Sequence, residues 1–164
     1  MKPKRVYIHG LESSSRGTKG VFFRERYPDM ILEDYLGSFA HRMEKLEGLL
    51  AGKDPLILVG SSFGGLMAAA YAFGHETRVK KLILLAPALH TSLFQPYLKK
   101  KLSVPVILYH GRQDEVVPME EVRRTAGQVF ANLNFNVVED DHVLTRTFPI
   151  LDWDSLLSLP EQPA

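Results

Sequence analysis

The chain has 164 residues, the size of one ordinary domain and too few for a cofactor domain plus a separate substrate domain. A composition of 45% apolar and 24% charged residues predicts a buried core, and a net charge of +1 argues against nucleic acid or an anionic membrane as partner. The lack of cysteine excludes disulfides, thiolate metal sites and a cysteine nucleophile, and it is typical of a cytoplasmic protein.

Short apolar runs alternate with amphipathic stretches along the chain, and this pattern is typical of βαβ units. Strands are predicted at residues 5–9, 30–34, 56–60, 81–86, 104–110 and 135–139. Helices are predicted at residues 19–27, 41–51, 63–74, 118–130 and 151–157. Several strands are continuously apolar, as strands covered by helices on both faces are. We therefore predict one α/β domain over residues 1–164, with a doubly wound, mostly parallel six-stranded sheet.

The glycine-containing stretch after the first strand does not fit a nucleotide-binding loop. Six residues separate Gly10 from Gly17, and Lys19 follows Thr18, whereas a Walker loop has lysine before Ser or Thr. The pattern G-x-G-x-x-G is also missing from the sequence. We predict that the protein uses no cofactor and binds no metal, and the longest apolar run, residues 82–89, is too short to cross a membrane.

Residues 60–64, Gly-Ser-Ser-Phe-Gly, match the G-x-S-x-G nucleophile elbow with Ser62 at its centre. A hydroxyl is a poor nucleophile unless it projects from the sheet beside a base, and a sharp strand-to-helix turn places it there. A predicted strand precedes this motif and a predicted helix follows it, as the elbow requires. A glycine-serine turn that only links strand to helix is the structural alternative.

The base that activates a serine needs a carboxylate to orient it, and two later strand ends offer these groups. Asp114 follows the fifth strand, with Glu115 as its neighbour and possible substitute. His142 follows the last strand, after two aspartates whose simplest role is in a turn. His9 ends the first strand and is the rival base, although a packed histidine that supports the loop is its simpler interpretation.

An oxyanion needs two backbone N–H donors, and position alone suggests those of Leu11 and Phe63. Candidate walls of a substrate pocket are Leu89, His90 and Val116, which also follow strands. The basic run at residues 99–101 is interpreted as a solvated segment end.

The motifs in this order resemble the α/β-hydrolase superfamily over essentially the whole chain. The resemblance rests on the elbow, on the Gly-x-x-Asp turn with Val117-Pro118 behind it, and on the late histidine. The opening at residues 9–17 further resembles small lidless bacterial esterases of the YqiA type. The resemblance implies an esterase without a cofactor, with Ser62 as nucleophile, Asp114 as acid and His142 as base, and with Leu11 and Phe63 as oxyanion donors.

The chain departs from larger members of the superfamily at three places. The sheet begins at what is their third strand, and only a short segment between Pro87 and Val104 stands where many insert a cap domain. Two aspartates precede His142 where a small residue is common.

We expect a serine hydrolase that cleaves short-chain esters of small molecules through an acyl-enzyme on Ser62. Short chains are expected because a lidless chain of this size has little apolar surface to enclose a fatty tail. Two alternatives are a thioesterase or amidase with the same triad, and a non-catalytic protein that binds ligands on the same fold.

Overall fold

Six strands form one parallel sheet in the computed structural model, which describes residues 2–161. The strands are β1 (Lys4–Ile8), β2 (Ile31–Leu32), β3 (Leu56–Ser61), β4 (Val79–Leu85), β5 (Val106–Gly111) and β6 (Leu133–Val138). They lie in the order β2-β1-β3-β4-β5-β6, and every neighbouring pair is parallel. The predicted mostly parallel six-stranded sheet is confirmed and is entirely parallel over the described residues.

Helices cover both faces of this sheet. They are α1 (Thr18–Arg26), α2 (Phe39–Leu50), α3 (Phe63–Gly74), α4 (Met119–Val129) and α5 (Trp153–Leu156), with 3-10 helices at Ser92–Tyr97 and Phe148–Ile150. None of the helices within residues 2–161 is long and apolar enough to cross a membrane.

Alternate residues of the central strands belong to two separate hydrophobic cores. In β3, Leu58 packs in the core that contains α2, α3 and α4, whereas the next residue, Val59, packs in the core that contains α1 and α5. Because successive side chains of a strand point to opposite faces, a strand buried on both faces must be apolar at every position. The continuously apolar runs in the sequence have this cause, and the sheet is doubly wound as predicted.

The largest differences from the predicted elements are at β2 and at the last helix, both of which are shorter than expected. The strand predicted at 30–34 pairs only at Ile31–Leu32, because Asp34 leaves the sheet edge and its carboxylate accepts a 2.7 Å hydrogen bond from the Ser15 amide. The last helix, predicted at 151–157, begins only at Trp153, because Asp152 caps it by accepting from the Ser155 amide at 3.2 Å.

The segment between β4 and β5 contains a 3-10 helix in place of a larger insertion. Phe94 of this helix is fully buried, and the ring of Tyr97 stacks 5.2 Å from that of Phe73 in α3. No cap domain stands over the sheet within residues 2–161. The loops at the carboxyl ends of β1, β3, β5 and β6 therefore meet at an open edge, where parallel sheets bind ligands.

Candidate active site

Ser62 lies in a sharp turn between β3 and α3. Its backbone has φ 56° and ψ −116°, in the left-handed half of φ space that non-glycine residues rarely adopt. Such a conformation costs about 1–3 kcal/mol and persists only where the surroundings enforce it. Here the Ser62 amide donates to the Leu85 carbonyl at 2.9 Å, and the Ala88 amide donates to the Ser62 carbonyl at 2.9 Å. The end of β4 therefore holds the turn that presents the hydroxyl.

The glycines that flank this turn are required by close backbone approach. A Cβ on Gly60 would overlap the carbonyl oxygen of Gly64, and a Cβ on Gly64 would overlap the carbonyl oxygen of Ile8 in β1. The N-terminus of α3 thus lies directly against β3 and β1. This contact places the start of α3 beside the loop that follows β1.

A hydrogen-bonded chain of three side chains begins at the Ser62 hydroxyl. Ser62 Oγ lies 3.0 Å from His142 Nε2, and His142 Nδ1 lies 2.8 Å from Asp114 Oδ2. Because the carboxylate can only accept, Nδ1 carries the proton and Nε2 is left as an acceptor for the hydroxyl proton. The structure therefore brings together the three residues that the sequence suggested as nucleophile, base and acid.

The Asp114 carboxylate is buried and held from two sides. Its side chain is 0% exposed, and Oδ1 accepts hydrogen bonds from the amides of Val116 and Val117, both at 2.8 Å. These two bonds form an Asx-type turn that fixes the rotation of the carboxylate. Oδ2 is thereby directed toward His142, whereas the neighbouring Glu115 is exposed to solvent.

The two aspartates before His142 shape its loop. Asp140 is buried, and its carboxylate accepts from the amides of Asp141, Arg146 and Thr147 at 2.8, 3.0 and 2.7 Å. Burial raises the pKa of this carboxyl, but the hydrogen bonds from Thr147, Asp141 and Arg146 outweigh it, so the pKa lies below its usual value. Asp141 accepts from the hydroxyl and amide of Thr145. Both aspartates thus act as turn residues.

Lys19, in the first turn of α1, bridges to the histidine loop. Its Nζ donates a 2.6 Å hydrogen bond to the carbonyl of Val143 and lies 5.4 Å from the ring centroid of Phe148. Burial lowers the pKa of Lys19, although the charges of Asp141 and Asp140 act against this effect. The bridge joins two segments 124 residues apart in the chain, so it was missed from the sequence.

His9 is packed under the first loop and is not placed to act as base. Its Nε2 accepts a 2.9 Å bond from the Tyr35 amide, and its Nδ1 donates to the Gly10 carbonyl at 2.7 Å. Burial lowers the pKa of His9, and the nearby charge of Arg42 lowers it further. With both ring nitrogens engaged, the neutral ring supports the loop.

The loop after β1 lies directly beside Ser62. A Cβ on Gly10 would meet the Ser62 Cβ at 3.3 Å and the Phe63 amide nitrogen at 3.9 Å. Among residues 2–161, the amides of Leu11 and Phe63 have no hydrogen-bond acceptor. Unpaired amides next to a nucleophile can stabilise an oxyanion, and this is the role that the sequence suggested for them.

Ser62 opens into a cleft of about 820 Å³. Most of its walls are apolar and come from the loop after β1, from α1 and from the histidine loop: Leu11, Phe22, Val143, Leu144, Phe148 and Pro149. Three apolar side chains at its mouth are largely exposed, namely Leu11 (55%), Val116 (65%) and Val143 (53%). An apolar group attached to a reacting carbonyl would therefore contact apolar walls while its far end stays near solvent.

The structure places only one of the three predicted pocket residues at this cleft. Val116 lines it, but Leu89 and His90 line a separate cavity of about 250 Å³ between the first 3-10 helix and α4. After β4 the chain turns into the protein, and Leu89 is only 2% exposed and belongs to the hydrophobic core that contains α2, α3 and α4. Within residues 2–161, no group of three or more His, Cys, Asp or Glu side chains is arranged to hold a metal ion.

Comparison with known proteins identifies the family. Residues 10–103 match the family model described as the alpha/beta hydrolase fold. The chain belongs to this family. The matched range contains the elbow of this alpha/beta hydrolase and ends before Asp114 and His142, so the partnership of those two residues with Ser62 rests on the geometry above.

One curated protein and several solved structures are similar to this chain. The chain is 32% identical over 84 residues to monoacylglycerol lipase abhd6-B of Xenopus laevis, a match that covers 51% of this alpha/beta hydrolase but only 23% of the relative. Alpha/beta hydrolase domain-containing protein 10 from mouse superposes with a TM-score of 0.74 at 20% identity, covering 87% of this chain and 83% of that one. Est1E from Butyrivibrio proteoclasticus, in a structure with bound ferulic acid, gives 0.77 at 16% identity, covering 94% and 86%. These structural likenesses show the fold, and the YqiA subtype stays a prediction.

Proposed function

We propose that the protein is a serine hydrolase that cleaves short-chain carboxylic esters through an acyl-enzyme on Ser62. The observation that carries the proposal is the chain of hydrogen bonds from Ser62 Oγ through His142 to the buried carboxylate of Asp114, at the mouth of an apolar cleft. Membership of a family of hydrolases supports the same conclusion.

The geometry supports a two-step acyl transfer. His142 Nε2 takes the hydroxyl proton as Ser62 Oγ forms a bond to the ester carbonyl carbon, and Asp114 stabilises the imidazolium through its bond to Nδ1. The amides of Leu11 and Phe63 then stabilise the oxyanion. The imidazolium gives its proton to the leaving alkoxide oxygen, and His142 next activates a water that releases the acid and restores Ser62.

The exposure of the cleft mouth supports a preference for short chains. Burying a methylene fully is worth about 0.8 kcal/mol. Methylenes beyond the cleft walls would lie between the exposed side chains of Leu11, Val116 and Val143 and gain only part of this energy. We therefore expect kcat/KM to level off or fall as the acyl chain lengthens. The cytoplasmic location and the absence of a cofactor stay predictions from the sequence.

Covalent labelling with a fluorophosphonate probe tests the proposal directly. We expect the probe to label the wild type and not to label Ser62→Ala. Ser61→Ala is the matched control, because it removes the neighbouring hydroxyl but keeps Ser62, and the probe should label it. Hydrolysis of p-nitrophenyl acetate, butyrate and octanoate should favour the shorter two, and Ser62→Ala should lower kcat by about 10⁶.

Two results would contradict this proposal. An unlabelled wild-type protein with only background turnover would indicate a non-catalytic binding protein. Faster turnover of a matched thioester or amide than of the ester would move the activity to those substrates.

A further inference from the structure

A second histidine, His110, lies behind the Asp114 carboxylate. It belongs to β5, its side chain is 0% exposed, and its Nε2 donates a 3.1 Å hydrogen bond to the Val117 carbonyl. The same nitrogen lies 3.1 Å from Asp114 Oδ2, the oxygen that also receives His142 Nδ1. One carboxylate oxygen therefore faces two imidazole rings.

The surroundings of His110 decide its protonation state. Nε2 faces two acceptor oxygens, so it carries a proton. Nδ1 is buried and has no partner among residues 2–161, so a proton there would be a buried donor without an acceptor. Burial also lowers the pKa of His110, and the positive charge that His142 can carry lowers it further, although the Val117 carbonyl and the Asp114 carboxylate act against both. The ring is thus a neutral donor through Nε2.

Both oxygens of Asp114 therefore lie among N–H groups. Oδ1 accepts hydrogen bonds from the amides of Val116 and Val117, and Oδ2 accepts from His142 Nδ1 and also lies 3.1 Å from His110 Nε2, whose hydrogen bond goes to the Val117 carbonyl. A neutral N–H close to Oδ2 partly stabilises the negative charge on this oxygen, and it does so without placing a second positive charge in the site. His142 remains the only one of the two rings that is free to take a proton during the reaction.

We propose that His110 is a positioning residue for the catalytic acid: it fixes the Asp114 carboxylate and weakens Oδ2 as an acceptor for His142. This inference rests on the proposed function, in which Asp114 orients His142. Its first consequence is that His110 stays neutral, with its proton on Nε2, while His142 exchanges a proton with Ser62 during the reaction. Its second is that removing the His110 N–H strengthens the hold of Asp114 on the protonated form of His142.

Imidazole NMR of the wild-type protein tests the first consequence without any assay of activity. The ¹⁵N and ¹H shifts of the ring should identify His110 as the neutral Nε2–H form from about pH 5 to about pH 9, a range that includes the pH at which an unperturbed imidazole takes up a proton. A charged His110 within this range, or a proton on Nδ1, would overturn the proposal. This result stands apart from the fate of the proposed function, which fluorophosphonate labelling decides.

Two variants test the second consequence. His110→Leu keeps the site apolar and filled but removes the N–H, and His110→Gln restores an N–H donor. We expect His110→Leu to lower kcat about tenfold with KM within about twofold, and to move the acid limb of kcat/KM about half a unit to higher pH. His110→Gln should recover most of kcat, and His41→Leu, on the exposed side of α2, serves as the control.

The other titratable groups around His142 are left in place by these variants. They are the side chains of Tyr7, Glu12, Lys19 and Asp141, which line the same cleft, and that of Asp140, which lies two residues before His142 in the chain. A purely structural His110 would lower the thermal stability of His110→Leu and leave its acid limb unchanged, and this result would overturn the proposal. A shift of the limb to lower pH would overturn it as well, and if His110→Leu does not fold, the NMR experiment and His110→Gln decide the question.

Discussion

Replacing Asp114 with asparagine exchanges one carboxylate oxygen for an NH₂ group, and the contacts of the carboxylate determine which of the two oxygens is exchanged. The amides of Val116 and Val117 both donate to Oδ1, so an amide NH₂ on that side would oppose two donors. Each buried donor left without an acceptor costs about 1–3 kcal/mol. In Asp114→Asn the carbonyl oxygen therefore stays on the Oδ1 side, and the NH₂ faces His142.

The catalytic loss follows from the proton on His142. Facing an NH₂ donor, Nδ1 must accept, so the ring proton moves to Nε2 and points at Ser62 Oγ. A histidine in this tautomer cannot take the hydroxyl proton, and the wrong tautomer in a serine triad costs about 10⁴ in kcat. This corresponds to about 5 kcal/mol of transition-state stabilisation. We also expect the unfolding free energy to fall by about 1–3 kcal/mol, because the NH₂ opposes His110 as well.

Steady-state hydrolysis of p-nitrophenyl butyrate at pH 7.5 measures the first effect, and urea unfolding measures the second. Glu115→Gln is the matched control, because Glu115 is the adjacent carboxylate and points to solvent. It should keep kcat within about twofold of the wild type. A kcat of Asp114→Asn within tenfold of the wild type, or an equal loss in Glu115→Gln, would refute the assignment of Asp114 as the acid.

Three further predictions concern stability and the histidine loop. Gly64→Ala should lower the free energy of unfolding in urea by about 3 kcal/mol or more, because the added Cβ would overlap the Ile8 carbonyl. Gly48→Ala, in an open position of α2, should raise it by about 0.5–1 kcal/mol. Equal effects of the two substitutions would contradict the packing argument. Lys19→Met should lower kcat/KM about tenfold by freeing the loop after β6, with recovery in Lys19→Arg, and an unchanged value would show that the bridge is dispensable. Folding lowers the pKa of Asp140, so its carboxylate stabilises the protein above its unfolded pKa and loses this effect as the pH falls. The difference in unfolding free energy between the wild type and Asp140→Asn, measured in urea, should therefore shrink between about pH 5 and about pH 2. A difference that stays constant over this range would contradict the prediction.

Features that depend on a few neighbouring residues were predictable from the sequence. The elbow at Ser62 is such a feature, because its glycines and the strand before it are adjacent in the chain. The order of Asp114 and His142 along the chain, each directly after a strand, was enough to place them at the same edge of the sheet. The structure then brings both to Ser62 within hydrogen-bond distance.

Contacts between distant segments were not predictable in the same way. Leu89 also follows a strand, but the turn after β4 sends it into the core instead of the cleft. The Lys19 bridge to Val143 and the position of Phe148 depend on how α1 packs against the segment after β6, and nothing in the sequence next to either residue encodes this. The contact of His110 with Asp114 is more local, because this histidine lies at the end of β5 only four residues before the acid.

The exposed mouth of the cleft and the packed turn at Ser62 differ in how well they should tolerate substitution. Leu11, Val116 and Val143 come from three different loops and are each more than half exposed. Exposed substitutions usually alter stability by less than about 0.5 kcal/mol, whereas the strained turn at Ser62 depends on close backbone packing. Directed evolution limited to these three positions should therefore yield large libraries of folded variants, in which substrate range changes while the sheet and the reacting groups stay the same.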